Sequence, residues 1–163
     1  DDGHEIITND ADGFNIGYER QTNHLGVRLV DNISDALDFA PPKILVAAPE
    51  TVLTPQIPGI TAPYEGRLHF VRSAPFYLEA TPPGVDKAAS LGAVLDRLGL
   101  QGGDLIAFGD AENDVSMCRL AGMGVAMGNA CDELRAAADM VTGTNNEDGI
   151  AQALYQLGLC EQD

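Results

Sequence analysis

Positive charge is scarce in this 163-residue chain: nine Lys and Arg stand against 25 Asp and Glu, a formal net charge of -16. Such a surface repels nucleic acid phosphates and anionic membranes, so neither is an expected partner. Long apolar runs are lacking as well. None approaches the roughly 18–20 residues needed to cross a bilayer, and no signal-peptide pattern opens the chain. The three cysteines, Cys118, Cys131 and Cys160, are odd in number and have no metal-ligand spacing. They read as reduced, mostly packed thiols of a cytoplasmic protein. His4, His24 and His69 are scattered without a pairing pattern, and no Ser-His-Asp or Cys-His arrangement follows from spacing. Internal repeats and low-complexity tracts are absent.

What is present is enough apolar material for a core, 45% of residues, and a length that suits one domain or one domain with a small appendage. The texture changes near Thr81-Pro82-Pro83-Gly84. Before it, strand-like runs are expected at His4–Asn9, Phe14–Glu19, Lys43–Ala48, Leu68–Arg72 and Phe76–Ala80. The first two flank NDADG, which predicts a hairpin loop. A modest helical stretch is expected near Ser34–Phe39, making residues 1–80 a small α+β unit. After the prolines the rhythm is helix, strand, helix, strand. Leu91, Val94, Leu95 and Leu98 fall on one helix face, and Gly99 stands where that helix should stop. Strands are predicted at 105–108, 124–127 and 140–142, with helices over about 113–121, 131–138 and 147–157. This alternation predicts an α/β fold with a parallel, Rossmann-like sheet over residues 81–163.

In open parallel sheets ligands bind outside the carboxyl ends of the strands. At one such end lies FGDAENDVSM, residues 108–117, with Asp110, Glu112 and Asp114 crowded into five positions. Hard oxygen ligands of this kind suit Mg²⁺, which keeps water and substrate phosphate in its shell. Gly109 would let the backbone turn and aim Asp110 at a metal, with Asp114 one helical turn on. Equally, Asp110 and Asn113 read as helix caps and Glu112 as a first-turn charge favoured by the helix dipole. The glycines of AGMGVAMGNA, residues 121–130, follow a helix and precede a strand. That order is wrong for a dinucleotide fingerprint, so they read as helix termination.

Taken together and in order, YLEATPPGVDK (77–87), FGDAENDVSMCRLAG (108–122), GVAMGNA (124–130), AADMVT (137–142) and NNEDGIAQAL (145–154) resemble the Cof-type branch of the haloacid dehalogenase-like phosphatases. The likeness covers the second half of that family's core, residues 81–163. Residues 1–80 resemble, less specifically, the remainder of its α+β cap. The resemblance implies Mg²⁺-dependent hydrolysis of small phosphomonoesters, such as sugar phosphates, through an aspartyl phosphate. It implies Asp110 as the metal ligand, Asp114 as the acid supporting the metal site, Asn113 as a phosphate contact and Lys87 as the phosphate-binding lysine. A lysine is a good point charge for phosphate. Mg²⁺ with an ammonium neutralises charge developing on the equatorial oxygens.

The family's nucleophile belongs to an Asp-x-Asp-Gly-Thr/Val motif on the first core strand. The chain offers only Asp10-Ala11-Asp12-Gly13-Phe14, and it begins without Met. NDADG is therefore expected to be a cap turn, and the chain a C-terminal fragment lacking its nucleophile. Two classes of function follow: a phosphatase whose N-terminal segment lies elsewhere, inert as this chain alone, or a non-catalytic fragment or interaction module. Within the first class stands a capless phosphatase using Asp10 and Asp12. A lost core strand would expose a sheet edge, inviting self-association or pairing with the missing segment.

Overall fold

Strand β1 (Glu5–Thr8) and strand β2 (Gly26–Leu29) run parallel, Ile6 opposite Val27, with helix α1 (Ile16–Asn23) between them. The computed structural model describes residues 4–161. This β-α-β arrangement replaces the expected hairpin, and the strand expected over Phe14–Glu19 is turn and helix. Alternation of Phe14, Ile16 and Tyr18 suggests a strand, but the preceding turn reverses the chain first. The Asp12 N–H donates to Asp10 Oδ1 at 3.1 Å and the Gly13 N–H to the Asp10 carbonyl at 3.3 Å. Parallel neighbours cannot be joined by a two-residue loop, so a crossover helix becomes obligatory.

The chain divides into two compact units: residues up to Phe70 with Pro75–Pro82, and Val71–Ala74 with residues from Pro83 onward. In the first unit a short helix α2 (Ile33–Ala36) is capped by Asn32, whose side chain accepts the Ser34 N–H at 3.0 Å. Strand β3 (Ile44–Ala47) pairs antiparallel with β5 (Tyr77–Thr81), Val46 opposite Leu78; β4 spans His69–Ala74, of which Val71–Ala74 belong to the second unit. Helix α3 (Glu50–Thr61) has no counterpart among the expected elements, because Pro55 and Pro58 lie inside it. Each proline removes an N–H and leaves a carbonyl one turn earlier without its bond. Those carbonyls belong to Thr51 and Thr54, both exposed. Leu53, Ile57 and Ile60 share the opposite face, and Leu53 is buried.

A polar and aromatic cluster holds the first unit together locally. Tyr77 donates its hydroxyl to Glu19 at 2.5 Å and accepts from Asn15 at 3.3 Å, while Phe76 packs edge-on to both Tyr77 and Phe14. Burial, with the Glu19 carboxylate second, pushes the Tyr77 phenol up to about 12.

The second unit is the predicted α/β layer. Helix α4 (Lys87–Leu98) starts where the Asp86 side chain accepts the Ala89 N–H at 2.7 Å and stops at Gly99, φ 69°. Of its predicted apolar face only Leu95 is buried; Val94 and Leu98 are exposed. Strands β6 (Ile106–Gly109), β7 (Met123–Ala126) and β8 (Met140–Val141) form one sheet in that order, all parallel. Helices α5 (Val115–Leu120), α6 (Asp132–Ala137) and α7 (Gly149–Gln156) complete the alternation. The core gathers Ala107, Cys118, Ala126, Ala130 and Leu134. Cys118 is a packed thiol, its pKa raised by burial, whereas Cys160 is exposed. Among the described residues no helix is long and apolar enough to cross a membrane.

Candidate active site

Strand β6 ends at Gly109, and the chain then folds back through a 3-10 turn, Glu112–Asp114, before α5 begins. That turn is organised around one carboxylate. Asp114 is only 5% exposed. Its Oδ2 accepts the backbone N–H of Asp110 at 3.0 Å and of Ala111 at 3.2 Å, and its Oδ1 accepts from the Lys87 ammonium. A buried carboxylate is tolerated only when its lone pairs are satisfied in this way. Gly109 is needed for close approach rather than for a sharp turn. A Cβ there would lie 2.8 Å from Asp114 Cγ.

The structure therefore brings Lys87 and Asp114 together across 27 residues and ties Asp110 to them through its own amide. Asp110 itself is exposed, and its Oδ2 accepts from the Asn129 side chain at 2.9 Å. Asn113 lies in the same turn, and its side-chain oxygen is buried without a partner. The capping alternative fits less well: neither the Asp110 nor the Asn113 side chain caps α5. Asp10 and Asp12 sit in the β1–α1 turn of the first unit, where Asp10 Oδ1 is engaged by the Asp12 amide.

Among the described residues no three His, Cys, Asp or Glu side chains form a set able to hold a metal. Mg²⁺ takes one or two carboxylates from a protein and leaves the rest of its shell to water and substrate. Asp110 has a carboxylate oxygen beyond the one held by Asn129, and the orphaned Asn113 oxygen is an acceptor suited to a metal-bound water. Asp114, already engaged by three donors, is better placed to support than to ligate.

Two polar residues of this edge, Asn129 in GVAMGNA and Asn145 in NNEDGIAQAL, take no role from the family resemblance. Asn129 stands in a glycine-rich stretch that reads as a helix end, and Asn145 in what reads as loop. Gly128 is tight because the loops meet: its N–H donates to the Gly143 carbonyl at 2.9 Å, and a Cβ would lie 2.8 Å from the Thr144 nitrogen. The available signal is that GNA and TNN each follow a predicted parallel strand at its carboxyl end.

The sequence profile of the haloacid dehalogenase-like hydrolases matches residues 3–154. A 5-amino-6-(5-phospho-D-ribitylamino)uracil phosphatase of Bacillus subtilis is 44% identical over 87 residues, covering 53% of this chain and 35% of its own. A stress response protein of the same organism is 37% identical over 133 residues, 80% of this chain and 46% of its own. The crystal structure of a haloacid dehalogenase-like hydrolase from Bacteroides thetaiotaomicron superposes with TM-score 0.78 at 35% identity, over 96% of this chain and 59% of that one. The chain thus spans roughly a third to three fifths of the length of these relatives. With a parallel Rossmann-like layer, the acidic turn at its carboxyl edge and a profile match along nearly its whole length, the chain belongs to the haloacid dehalogenase-like hydrolases, in their Cof-type branch.

Proposed function

We propose that this chain is the C-terminal part of a Mg²⁺-dependent phosphatase of small phosphomonoesters, sugar phosphates or similar. Residues 1–80 are the remainder of its cap and residues 81–163 the second half of its core. The observation that carries this is the Lys87–Asp114 pair bound to the Asp110 and Ala111 amides. It fixes an ammonium beside an outward-facing carboxylate, which is what a phosphate dianion with a bound cation requires. Lys87 holds the transferring phosphoryl group as a point charge, Asn113 contacts it, and Asp110 takes the metal with Asp114 supporting the turn. Mg²⁺ when bound neutralises charge on the phosphoryl oxygens.

The phosphoryl group passes from the ester oxygen to an aspartate carried outside these 163 residues, and the ester oxygen takes a proton from solvent and leaves as the alcohol. Water then cleaves the aspartyl phosphate, releasing inorganic phosphate and the free carboxylate. The relatives' phosphatase activity and the net charge of -16 support a small phosphorylated metabolite as substrate rather than nucleic acid or membrane.

The test is an aryl phosphate assay with Mg²⁺, on the 163-residue chain and on the protein extended by its upstream reading frame. The extended protein should turn over, lose that activity in Asp110→Ala, and keep it in Asp10→Asn. Retained activity in Asp110→Ala removes that residue from the mechanism. Turnover by the 163-residue chain that vanishes in Asp10→Asn replaces this proposal with the capless one.

A further inference from the structure

The parallel sheet presents three successive strand ends on one edge. The residues just beyond them are Asp110 after β6, Asn129 after β7 and Asn145 after β8. The middle residue joins the outer two. Its Nδ2 donates to Asp110 Oδ2 at 2.9 Å, and its Oδ1 accepts the backbone N–H of Asn145 at 3.0 Å. These two bonds fix the amide orientation without ambiguity. A flipped amide would set its oxygen against a carboxylate and its NH₂ against an N–H.

The far anchor is itself braced. Thr144 donates its hydroxyl to Glu147 Oε2 at 2.7 Å and its N–H to the same oxygen at 3.1 Å. Thr142 donates its hydroxyl to the Gly149 carbonyl at 2.7 Å, and the Gly128 N–H reaches the Gly143 carbonyl at 2.9 Å. A side chain on an exposed turn would otherwise exchange among staggered rotamers. Asp110 is exposed and does not have to.

We propose that Asn129 is a positioning residue for Asp110: anchored on the 143–149 loop, it holds one carboxylate oxygen and leaves the other directed to the cation. This rests on the proposed role of Asp110 as metal ligand. Outer partners that orient a ligand are typically worth 10–100-fold in metal affinity. Asn129 is exposed and outside the core, so its removal should change affinity far more than folding.

The experiment uses the 163-residue chain labelled with ¹⁵N and ¹³C, with Mn²⁺ as probe. Without metal, Asn129→Ala should shift both the Asn145 backbone amide and the Asp110 carboxyl carbon. Asn129→Asp, the same shape, keeps the acceptor for Asn145 and loses the donor, so it should shift the Asp110 signal and leave the Asn145 amide near its wild-type position. In Asn129→Ala, paramagnetic broadening around residues 110–114 should need about 10-fold more Mn²⁺ or beyond, with the thermal midpoint little changed. If the metal-free signals do not move, or they move and Mn²⁺ titrates as in the wild type, the positioning role is overturned. Should the wild type show no broadening near Asp110, the metal site of the phosphatase proposal fails. The metal-free signals alone then decide whether Asn129 positions Asp110. If Asn129→Ala does not fold, Asn129→Asp decides the matter instead: an Asp110 signal that stays at its wild-type position there overturns the positioning role.

Discussion

The two compact units bury different kinds of side chain. The first packs Leu53, Tyr77, Leu78 and Ala80; the second clusters Ala107, Cys118, Ala126 and Ala130 with Leu134, and also buries Leu95, Val125, Met127 and Ala153. Small residues let backbone approach backbone. Strand-end loops of the second unit therefore meet within hydrogen-bond distance, and a carboxylate such as Asp114 is enclosed by main-chain amides. In the first unit the long-range polar ties are made by side-chain tips, as between Tyr77 and Glu19. A site that must hold charge in fixed geometry is better built in the first manner, because backbone groups have no rotamers to lose.

The strongest way to break that contrast is one truncation made in each unit. Leu134 is 0% exposed and Leu53 2% exposed. Leu134→Ala should cost about 3–5 kcal/mol, since the side chain is fully buried and most of the buried residues clustered with it are alanines, too small to fill the space. Leu53→Ala, on a proline-containing helix with exposed flanks, should cost about 2–3 kcal/mol. Urea denaturation measures both, and equal losses would remove the distinction. Next in size, Gly109→Ala forces a Cβ against Asp114 and should cost about 1–3 kcal/mol. The Lys87–Asp114 contact should weaken with it, read as a changed Lys87 Nζ environment by NMR.

Alkaline pH sharpens the contrast on the other side. Tyr77 has its pKa raised from 10.0 to about 12, so the neutral phenol is favoured by folding. That contribution is complete below pH 10 and disappears as pH rises from 10 through 12. It amounts to about 2–3 kcal/mol. Of the four tyrosines, Tyr77 should be the last to give its tyrosinate absorbance, and Tyr77→Phe should flatten the fall in stability over that range. An alkaline fall unchanged in Tyr77→Phe would dismiss the account. The smallest effect is expected from Gly17→Ala within α1, where a Cβ meets nothing within 4 Å. It should stabilise by roughly 0.5–1 kcal/mol through helix propensity and a less flexible unfolded chain, visible as a rise of the thermal midpoint.

Legibility in the sequence follows the same divide. Strands β6, β7 and β8 are readable because each is a short apolar run between helical patterns, and the parallel arrangement follows from that alternation. Asp86 and Gly99 mark the ends of α4 by local capping chemistry. The first unit resists. Phe14, Ile16 and Tyr18 alternate like a strand yet lie in and before α1, and two prolines hide α3. In the first place a tight turn and the parallel β1–β2 pairing override the alternation; in the second, burial of Leu53 accompanies a helix that the prolines disguise. At the site, the Asp110–Asp114 turn is visible as charge crowding, but Gly109 reads as a turn residue because a close approach leaves no mark in the sequence.

The α/β alternation after Pro83, the acidic turn at a strand end and the family likeness follow from the order of residues alone, because helix periodicity, capping and motif spacing are local properties of the chain. That Lys87 meets Asp114, and that Asp110, Asn129 and Asn145 form one line of hydrogen bonds, is visible only in the folded chain. Those partners are separated by 27, 19 and 16 residues. Their meeting depends on which strands are neighbours and on how closely small residues let the loops approach.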